Sequence, residues 1–415
     1  MTNHTTPPIV SAPGRALIAS SIFARLPLAM FTIALLVHTQ QLTGSFAAAG
    51  VVSGAYAISG AVSAPVLGRL VDRCGQTTVL VSGATLTALA LVITGLLPAG
   101  TPPAVLVALA AAAGMATPPL GACMRTLLPG IVGDPARLPA LFAFESTALE
   151  ITFVLGPPLA LGLGAVWSMG AALASAGLLM LVSTLVFATR PASRDWRPDL
   201  TVERPRGGSL RSPAILILAL IELGAGTVFG ATEVGITAAA KALGSTAAAG
   251  PVLGIWGVGS LLGGIAATRF GGGARRSAGL ILLLVGLAVA HGTLIFATGS
   301  VLALAAVILL AGATIAPTAA SIYAMVDRFA PAGTATEAFS WALTAAYTGE
   351  AVGAAVGGGL VQSAGATAAF AFVGAAGAVT VLVAILGRRH LDAGAAEPAT
   401  ISLPGTPPRS APRTT

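Results

Sequence analysis

The sequence predicts an all-α membrane protein in which twelve transmembrane helices form two pseudo-symmetric bundles of six. The first observation is composition: 55% of the 415 residues are apolar and only 8% are charged, against about 25% charged residues in ordinary soluble domains. The second is length, because apolar stretches of about 20 residues, enough to cross a bilayer, follow one another almost continuously. The third is an internal repeat that relates the two halves of the chain.

The apolar sequence is divided by glycine, proline and polar clusters into twelve segments. Helices are favoured over a β-barrel because the apolar runs are long and do not alternate with polar residues. The predicted spans are 16–39, 46–68, 78–98, 103–125, 139–163, 165–189, 213–237, 247–267, 277–298, 301–325, 337–361 and 366–387.

One long polar segment with six arginines, 190–211, separates the two halves. The predicted organisation is an amino-terminal tail, a first bundle, a central loop, a second bundle and a carboxy-terminal tail, at 1–15, 16–189, 190–212, 213–387 and 388–415.

The halves repeat each other in a fixed register. The heptapeptide GSFAAAG at 44–50 recurs as GSTAAAG at 244–250, and the same offset pairs Tyr56 with Trp256. Two parallel six-helix repeats imply a pseudo-two-fold axis along the membrane normal, with a substrate site between the halves near the midplane.

Arginines concentrate on one set of loops, and cytoplasmic loops are the ones that carry an excess of Lys and Arg. We therefore expect both termini in the cytoplasm, and only Lys241 then falls among the outer loops. No secretory signal peptide is recognisable, so the first span is expected to direct insertion into the cell membrane. The residues placed on or beside cytoplasmic loops are Arg69, Arg73, Arg125, Arg137, Arg269, Arg275, Arg276, Arg328, Arg388, Arg389 and the arginines of 190–211.

Several other classes of function are disfavoured. The formal charge of +7 is spread over short loops without a basic helix or aromatic-interleaved patch, so nucleic-acid binding is not expected. Cys74 and Cys123 fall in or beside predicted cytoplasmic loops, where a structural disulfide is not expected. The sequence has no CxxC motif or His/Cys cluster and no GxxxxGK[ST] phosphate loop. We expect no metal or cofactor, a monomer, and a proton gradient as the energy source.

Ionisable residues inside the predicted spans are the main functional candidates. A charge at a span centre costs about 2.5–3.5 kcal/mol, so each needs a partner, a watery cavity or a change of protonation. The candidates for proton coupling or for the substrate cavity are Arg25, Glu145, Glu150, Glu222, Glu233 and Glu350.

Depth suggests how these residues pair. Counted at 1.5 Å per residue, Arg25 and Glu222 lie about 12 Å from the cytoplasmic boundary and Glu145 about 10 Å, whereas Glu150 lies nearer 18–20 Å. Depth favours Glu145 or Glu222 as the partner of Arg25. Since the fifth span belongs to the same half as the first, our hypothesis is that Arg25 pairs with Glu145 or Glu150 of that span, and that Glu222 faces the substrate or carries the proton. The alternative is a static Arg–Glu bridge that only specifies helix packing.

Helical phase and the repeat add two constraints. Glu222 and Glu233 are eleven residues apart and return to within about 20° of the same helix face, so both can line one path. In the second half, the position that corresponds to Arg25 is occupied by Ala225. The arginine therefore belongs to one half only.

The stretch GRLVDRCGQTT, 68–78, resembles the loop motif Gly-x-Leu-x-Asp-Arg-x-Gly-Arg-Lys of the major facilitator superfamily. Five residues match, and two, Gln76 and Thr77, replace the usual basic pair. With twelve spans, a central loop and a six-plus-six repeat, the resemblance covers the chain from the first span to about Arg389. The matching residues are Gly68, Leu70, Asp72, Arg73 and Gly75.

In that family the motif is a cytoplasmic latch of the outward-facing state. The resemblance implies this role for Asp72 and Arg73, with Arg69 inside the same motif. Its glycines allow a tight turn between helices. Asp72 can accept hydrogen bonds from Arg73 or Arg125, or face a helix amino terminus. The alternative is a solvated positive-inside loop.

Two further comparisons with the family concern direction and coupling. Gly156 and Pro157, in LGPPLALG, resemble the Gly-Pro element of antiporters in the superfamily, which implies export; otherwise they only kink the helix. Drug–proton antiporters of the family often carry an arginine inside the fourth span, and 104–124 has none. The usual proton relay is therefore not expected.

The sequence thus predicts a secondary active transporter that exports a small organic molecule by alternating access in exchange for protons, with the lipid bilayer as its surroundings. Proton-coupled uptake by the same fold is the alternative, and a non-transporting receptor a more remote one. An enzyme is not expected, because the spans contain no aspartate and only scattered histidines, whereas catalysis needs a nucleophile–base set or clustered metal ligands.

Overall fold

The computed structural model describes residues 12–132, 134–198, 207–245, 248–270, 272, 274 and 276–393. Within these residues the regular structure is helical, with short 3₁₀ turns and no β-strand. The helices are α1 (Ala12–Thr43), α2 (Phe46–Cys74), α3 (Gln76–Leu96), α4 (Pro103–Ala116), α5 (Leu120–Ile131), α6 (Leu138–Val166), α7 (Met169–Ala188), α8 (Pro191–Arg194), α9 (Pro213–Ala242), α10 (Ala249–Arg269), α11 (Ser277–Gly292), α12 (Val301–Gly312), α13 (Ile315–Phe329) and α14 (Ala335–Asp392).

The described helices are long and apolar enough for a polytopic membrane protein, which confirms the predicted all-α class. Ten described stretches qualify as spans, with α4 and α5 forming one and α12 and α13 another. Helix α14 has 58 residues, roughly 87 Å at 1.5 Å per residue, which is far too long for one crossing. The positive φ of 78° at Gly365 interrupts it, so its two parts correspond to the predicted eleventh and twelfth spans.

The fourth span differs from the prediction of an unbroken helix at 103–125. Pro118 and Pro119 lack amide hydrogens, and the helix breaks there into α4 and α5 because proline cannot continue the hydrogen-bond ladder. Helix α5 then runs on to Ile131 and carries Arg125, whose side chain is only 1% exposed. The expectation that Arg125 lies on or beside a loop is therefore wrong, since it is part of a buried helix.

The repeat has a counterpart in side-chain packing. In α1 and α2 the rings of Phe31 and Tyr56 meet edge to face, with centroids 5.0 Å apart. In α9 and α10 the rings of Phe229 and Trp256 do the same at 5.7 Å. Tyr56 and Trp256 are the residues that the sequence repeat pairs, so both halves use the same aromatic contact between corresponding helices.

The two halves, α1–α7 and α9–α14, pack together at one end of the bundle. We call this the basic end, since it carries Arg69, Arg73, Arg194 and Arg328. There a single buried cluster contains residues of both halves, including Phe142 and Phe339. Further along the helices, one buried cluster comes from the first half alone and another from the second half alone. The halves are therefore joined at the basic end and packed separately toward the opposite end.

Candidate functional site

Three charged side chains from three helices of the first half meet in the buried core. The Arg25 Nη1 atom of α1 lies 2.6 Å from Glu145 Oε1 of α6, and the Arg125 Nε atom of α5 lies 3.3 Å from Glu145 Oε2. These side chains are 4%, 1% and 0% exposed in the order Arg25, Arg125, Glu145. Of the two glutamates predicted as partners of Arg25, the structure places Glu145 against it. We call these three residues the charge centre.

Two guanidinium groups share one carboxylate in the charge centre. Gly121, one turn before Arg125, lies beside both groups: a Cβ there would be at ordinary contact distance, 3.6 Å, from a terminal nitrogen of each. Two buried cations and one anion leave a positive excess, which is costly in a medium of low dielectric constant.

A second carboxylate faces this excess from the other half. Glu222 of α9 is 6% exposed and interacts electrostatically with Arg125. Its Oε1 atom has no hydrogen-bond partner among the described residues. The charges balance when Glu222 is ionised and sum to one positive charge when it is protonated. The protonation of Glu222 therefore sets the net charge of the seam between the halves.

An aromatic ring of the second half also contacts the charge centre. The Cζ atom of Arg125 lies 3.8 Å from the centroid of the Tyr323 ring in α13, well within the range of a cation–π interaction. Tyr323 belongs in turn to an aromatic cluster with Phe142 and Phe339. The three ring centroids are 6.0–6.5 Å apart. We call Phe142, Tyr323 and Phe339 the aromatic plug, because it fills the seam beside the charges.

The other predicted ionisable residues lie elsewhere. Glu233 and Glu350 are both exposed, and they interact electrostatically with each other. Gly230 packs so closely on Glu350 that an added Cβ would overlap its carbonyl group, which places Glu350 about one helical turn from Glu233. Glu150 belongs to α6, but its side chain lies outside the described part of the chain. The structure therefore brings together Arg25, Glu145 and Glu222 but separates Glu233 and Glu350 from them.

Asp72, the acidic residue of the loop motif, lies at the basic end on the seam between the halves. Its Oδ1 atom accepts a hydrogen bond from the Thr336 amide at 3.1 Å, and Oδ2 accepts from the Glu337 amide at 2.9 Å. Both amides belong to the first turn of α14. Of the contacts predicted for Asp72, this is the one with a helix amino terminus, where a carboxylate is stabilised by free N–H groups and the helix dipole.

Arg69 adds a second bond across the same seam. Its Nε and Nη2 atoms donate to the two carboxylate oxygens of Glu337 at 3.2 and 2.7 Å. The Ser209 amide, at the end of the central connection, donates to Glu337 as well. Gly68 permits this approach, because a Cβ there would overlap Ser340 and Thr336 of α14. The first half thus holds the start of α14 through one carboxylate and one guanidinium group.

The remaining residues of the two predicted motifs have simpler surroundings. Leu70 is 43% exposed and Arg73 is also exposed. Gly75 has a φ of 92°, a conformation that favours glycine between α2 and α3. Gly156 is buried, and an added Cβ would overlap Ala29, so α6 packs closely on α1 there. Pro157 follows inside α6.

Sequence reasoning missed three residues of this arrangement. Arg125 was hidden by the predicted end of the fourth span, although the apolar residues after it indicate that the helix continues. Glu337 stands three residues after Thr334, a spacing typical of a capping box, yet the structure uses it to bind Arg69. Tyr323 carried no signal beyond being one of only three tyrosines in an apolar chain.

The fold and these charges define a class of protein: two joined bundles of membrane-spanning helices, closed at one end, with ionisable groups buried between them, are typical of secondary transporters. The sequence model of the Major Facilitator Superfamily matches residues 17–271. The chain belongs to this superfamily of transporters. A search of curated proteins finds no match.

Solved structures of transporters have the same fold. A bacterial homologue of the iron transporter ferroportin, in an outward-facing state, is 17% identical with a TM-score of 0.72, covering 92% of this chain and 100% of that one. The human organic anion transporter MFSD10 is 16% identical with a TM-score of 0.68, covering 90% and 100%. The proton:xylose symporter XylE is 14% identical with a TM-score of 0.72, covering 92% and 99%.

Proposed function

We propose that the protein exports a small organic molecule across the cell membrane in exchange for protons, with both termini and the basic end in the cytoplasm. The observation that carries the coupling is the charge centre, where two buried arginines of the first half share Glu145 while Glu222 faces them from the second half. Buried carboxylates of this kind act as proton carriers in transporters.

The orientation follows from the concentration of arginines at the basic end. The state described is then outward-facing, since the halves are joined at the cytoplasmic side by Asp72, Arg69 and the aromatic plug. Export is supported by the resemblance of Gly156 and Pro157 to the antiporter element. Arg125 lies in α5, the second part of the fourth span. It therefore provides the intramembrane arginine that drug–proton antiporters of the family often carry in this span and that 104–124 lacks.

The charges suggest how protons drive the cycle. When Glu222 is ionised, its attraction to Arg125 stabilises closure of the cytoplasmic side, because opposite charges interact strongly where water is excluded. A proton that arrives from outside neutralises Glu222 and removes this attraction, so the cytoplasmic side opens. Loss of the proton to the cytoplasm, followed by substrate binding, allows the halves to close again and carry the substrate outward.

Transport in everted membrane vesicles tests this function. Vesicles with an acidic interior are offered an organic cation (ethidium), an organic anion (fluorescein) and a sugar (xylose). We expect one probe to accumulate, and we expect Glu222→Gln to abolish accumulation. Glu233→Gln, on the same face of α9 but exposed, is the matched control and retains it. Gradient-driven accumulation that survives both Glu222→Gln and Glu145→Gln would rule out these carboxylates as proton carriers.

The same measurement separates export from the alternatives. Symport predicts accumulation in right-side-out vesicles with an acidic exterior and none in everted vesicles. A receptor predicts binding of a probe without flux in either preparation. Arg25→Gln adds a test of the static-bridge interpretation: a folded variant that no longer transports indicates that Arg25 does more than hold helices together.

A further inference from the structure

We propose that Tyr323 is a positioning residue: its ring holds Arg125 of the charge centre at the seam between the halves, where the guanidinium group interacts electrostatically with Glu222. This inference rests on the proposed function for its consequence in transport. Arg125 is on α5 and Tyr323 on α13, so their contact joins the two halves and must break when the basic end opens.

The contacts of Arg125 show what the ring contributes. Only its Nε atom donates to Glu145, at 3.3 Å, and its Nη1 atom has no hydrogen-bond partner among the described residues. The plane of the guanidinium group is instead covered by the Tyr323 ring, 3.8 Å away. A ring face is negative and stabilises a cation without neutralising it. Arg125 can therefore keep its positive charge directed toward Glu222.

Tyr323 is itself fixed by its neighbours. It is 8% exposed and packs between Phe142 of the first half and Phe339 of the second, with centroids 6.5 and 6.3 Å away. The ring thus contacts the charge centre and is also part of the aromatic plug. Displacing the plug withdraws the ring from Arg125, which couples opening of the basic end to the electrostatics of Glu222.

The ionisable groups around Glu222 come from several helices. Arg125 interacts with it directly, and Tyr323 of α13 does so from its own half. Arg25 and Glu145 lie behind Arg125, and Tyr347 of α14 interacts with both arginines. Arg125 is the cation that interacts with Glu222 across the seam, so its position decides how readily Glu222 takes up a proton.

Without the ring, we expect Arg125 to turn toward Glu145, where a full negative charge attracts it. The ionised form of Glu222 then loses its stabilising neighbour, and Glu222 takes up a proton at higher pH. Because protonation of Glu222 opens the basic end, we expect the basic end to open at higher pH as well. Removal of a ring that only fills space would instead change the open-to-closed ratio of the basic end by the same factor at every pH.

Spin-label distances measured at different pH values test this inference in the full-length protein in lipid nanodiscs. One label is attached to the exposed native Cys74 of α2 and the other to Ala332→Cys in the turn after α13, with Cys123→Ala removing the buried thiol. We expect the fraction with a long distance, in which the basic end is open, to rise as pH falls. In Tyr323→Leu the open-to-closed ratio should change about tenfold less between high and low pH than in the wild type, which corresponds to a tenfold change in the proton affinity of Glu222 in the closed state.

Three further variants make the result specific. Tyr323→Phe keeps a ring face and should keep the wild-type pH dependence of the open-to-closed ratio. Phe339→Leu removes a plug residue whose ring makes no cation–π contact with Arg125 in the described part of the chain, and should change this ratio by the same factor at high and low pH. Arg125→Lys retains the charge but not the planar group that stacks on a ring, and should weaken the pH dependence as Tyr323→Leu does, which provides a second test if Tyr323→Leu does not fold.

The outcomes separate this inference from the proposed function. A pH-dependent change in the open-to-closed ratio that is as large in Tyr323→Leu or Arg125→Lys as in the wild type, while Glu222→Gln abolishes the pH dependence, would refute the role of Tyr323 and leave proton coupling intact. A pH dependence that persists in Glu222→Gln would refute Glu222 as the proton carrier, and the role of Tyr323 with it. A wild-type distance that does not respond to pH would refute both.

Discussion

The two halves of the molecule share their packing but differ in their buried charges. Both contain an edge-to-face aromatic contact between corresponding helices, Phe31–Tyr56 in the first and Phe229–Trp256 in the second. Within the part of the chain that the structure describes, only the first half buries arginines, Arg25 and Arg125. The repeated contact maintains a scaffold common to both halves. The unrepeated charges distinguish the halves, and their energetics should therefore differ as well.

The largest effect should come from the charge centre. Glu145→Gln leaves two buried guanidinium groups without a carboxylate, and breaking a buried ion pair in this way costs about 3–5 kcal/mol. We expect the melting temperature of the detergent-solubilised protein to fall sharply. Glu350→Gln, in the second half and exposed, is the matched control and should melt close to the wild type. Equal melting temperatures for the two variants would contradict the asymmetry between the halves.

The next effect concerns the seam that joins the halves. Asp72→Ala removes the carboxylate that accepts two backbone hydrogen bonds from the first turn of α14, and hydrogen bonds to charged groups contribute roughly 1.5–3 kcal/mol each. We expect the open fraction at the basic end to rise by at least tenfold, measured by the distance between labels at Cys74 and Ala332→Cys. Arg73→Gln, at an exposed position of the same motif, should leave the distances unchanged.

Asp72 also illustrates what the sequence can and cannot predict. The motif predicts that this carboxylate joins a loop to another element, because a short charged side chain beside a tight turn needs donors. The identity of the donors cannot be predicted, since the amides of Thr336 and Glu337 lie more than 260 residues away. Nothing local indicates that α14 begins there on the opposite half.

The buried charges show a similar limit. Depth along a helix can be counted, so the level shared by Arg25, Glu145 and Glu222 was predictable. The break at Pro118–Pro119 and the continuation of α5 past Arg125 have local signals, in the two prolines and in the apolar residues that follow Arg125. Rotation about each helix axis depends on packing between distant helices, so the burial of Arg125 at the seam was not predictable from the local sequence. The cation–π contact joins Arg125 of the first half to Tyr323 of the second half, so no local sequence pattern predicts it.

A smaller effect distinguishes the repeated aromatic contacts. Trp256→Phe keeps an aromatic ring, a smaller one, but removes the indole N–H that donates to His291 Nε2 at 3.2 Å, leaving a fully buried nitrogen unsatisfied at a cost of about 1–3 kcal/mol. Tyr56→Phe removes a weaker, partly buried contact with Thr117 Oγ1, worth about 1 kcal/mol. We expect Trp256→Phe to lower the melting temperature more. A lower melting temperature for Tyr56→Phe than for Trp256→Phe would mean that the stability of the first half depends more on its polar contacts.

The smallest effect should come from Arg69, although its bond with Glu337, at 2.7 Å, is shorter than either hydrogen bond that Asp72 accepts from α14. The side chain of Arg69 is 45% exposed, whereas that of Glu337 is 2% exposed and keeps the Ser209 amide as a donor when Arg69 is removed. Because the pair is open to solvent on the arginine side, we expect it to contribute only about 0.2–1 kcal/mol. We expect Arg69→Gln to raise the open fraction between labels at Cys74 and Ala332→Cys by about two- to fivefold. High salt should reduce the difference between Arg69→Gln and the wild type, because exposed charges are screened, whereas the effect of Asp72→Ala should persist. An Arg69→Gln effect as large and as salt-resistant as that of Asp72→Ala would mean that Glu337, held on one side by Arg69 and on the other by the Ser209 amide, is the stronger of the two attachments.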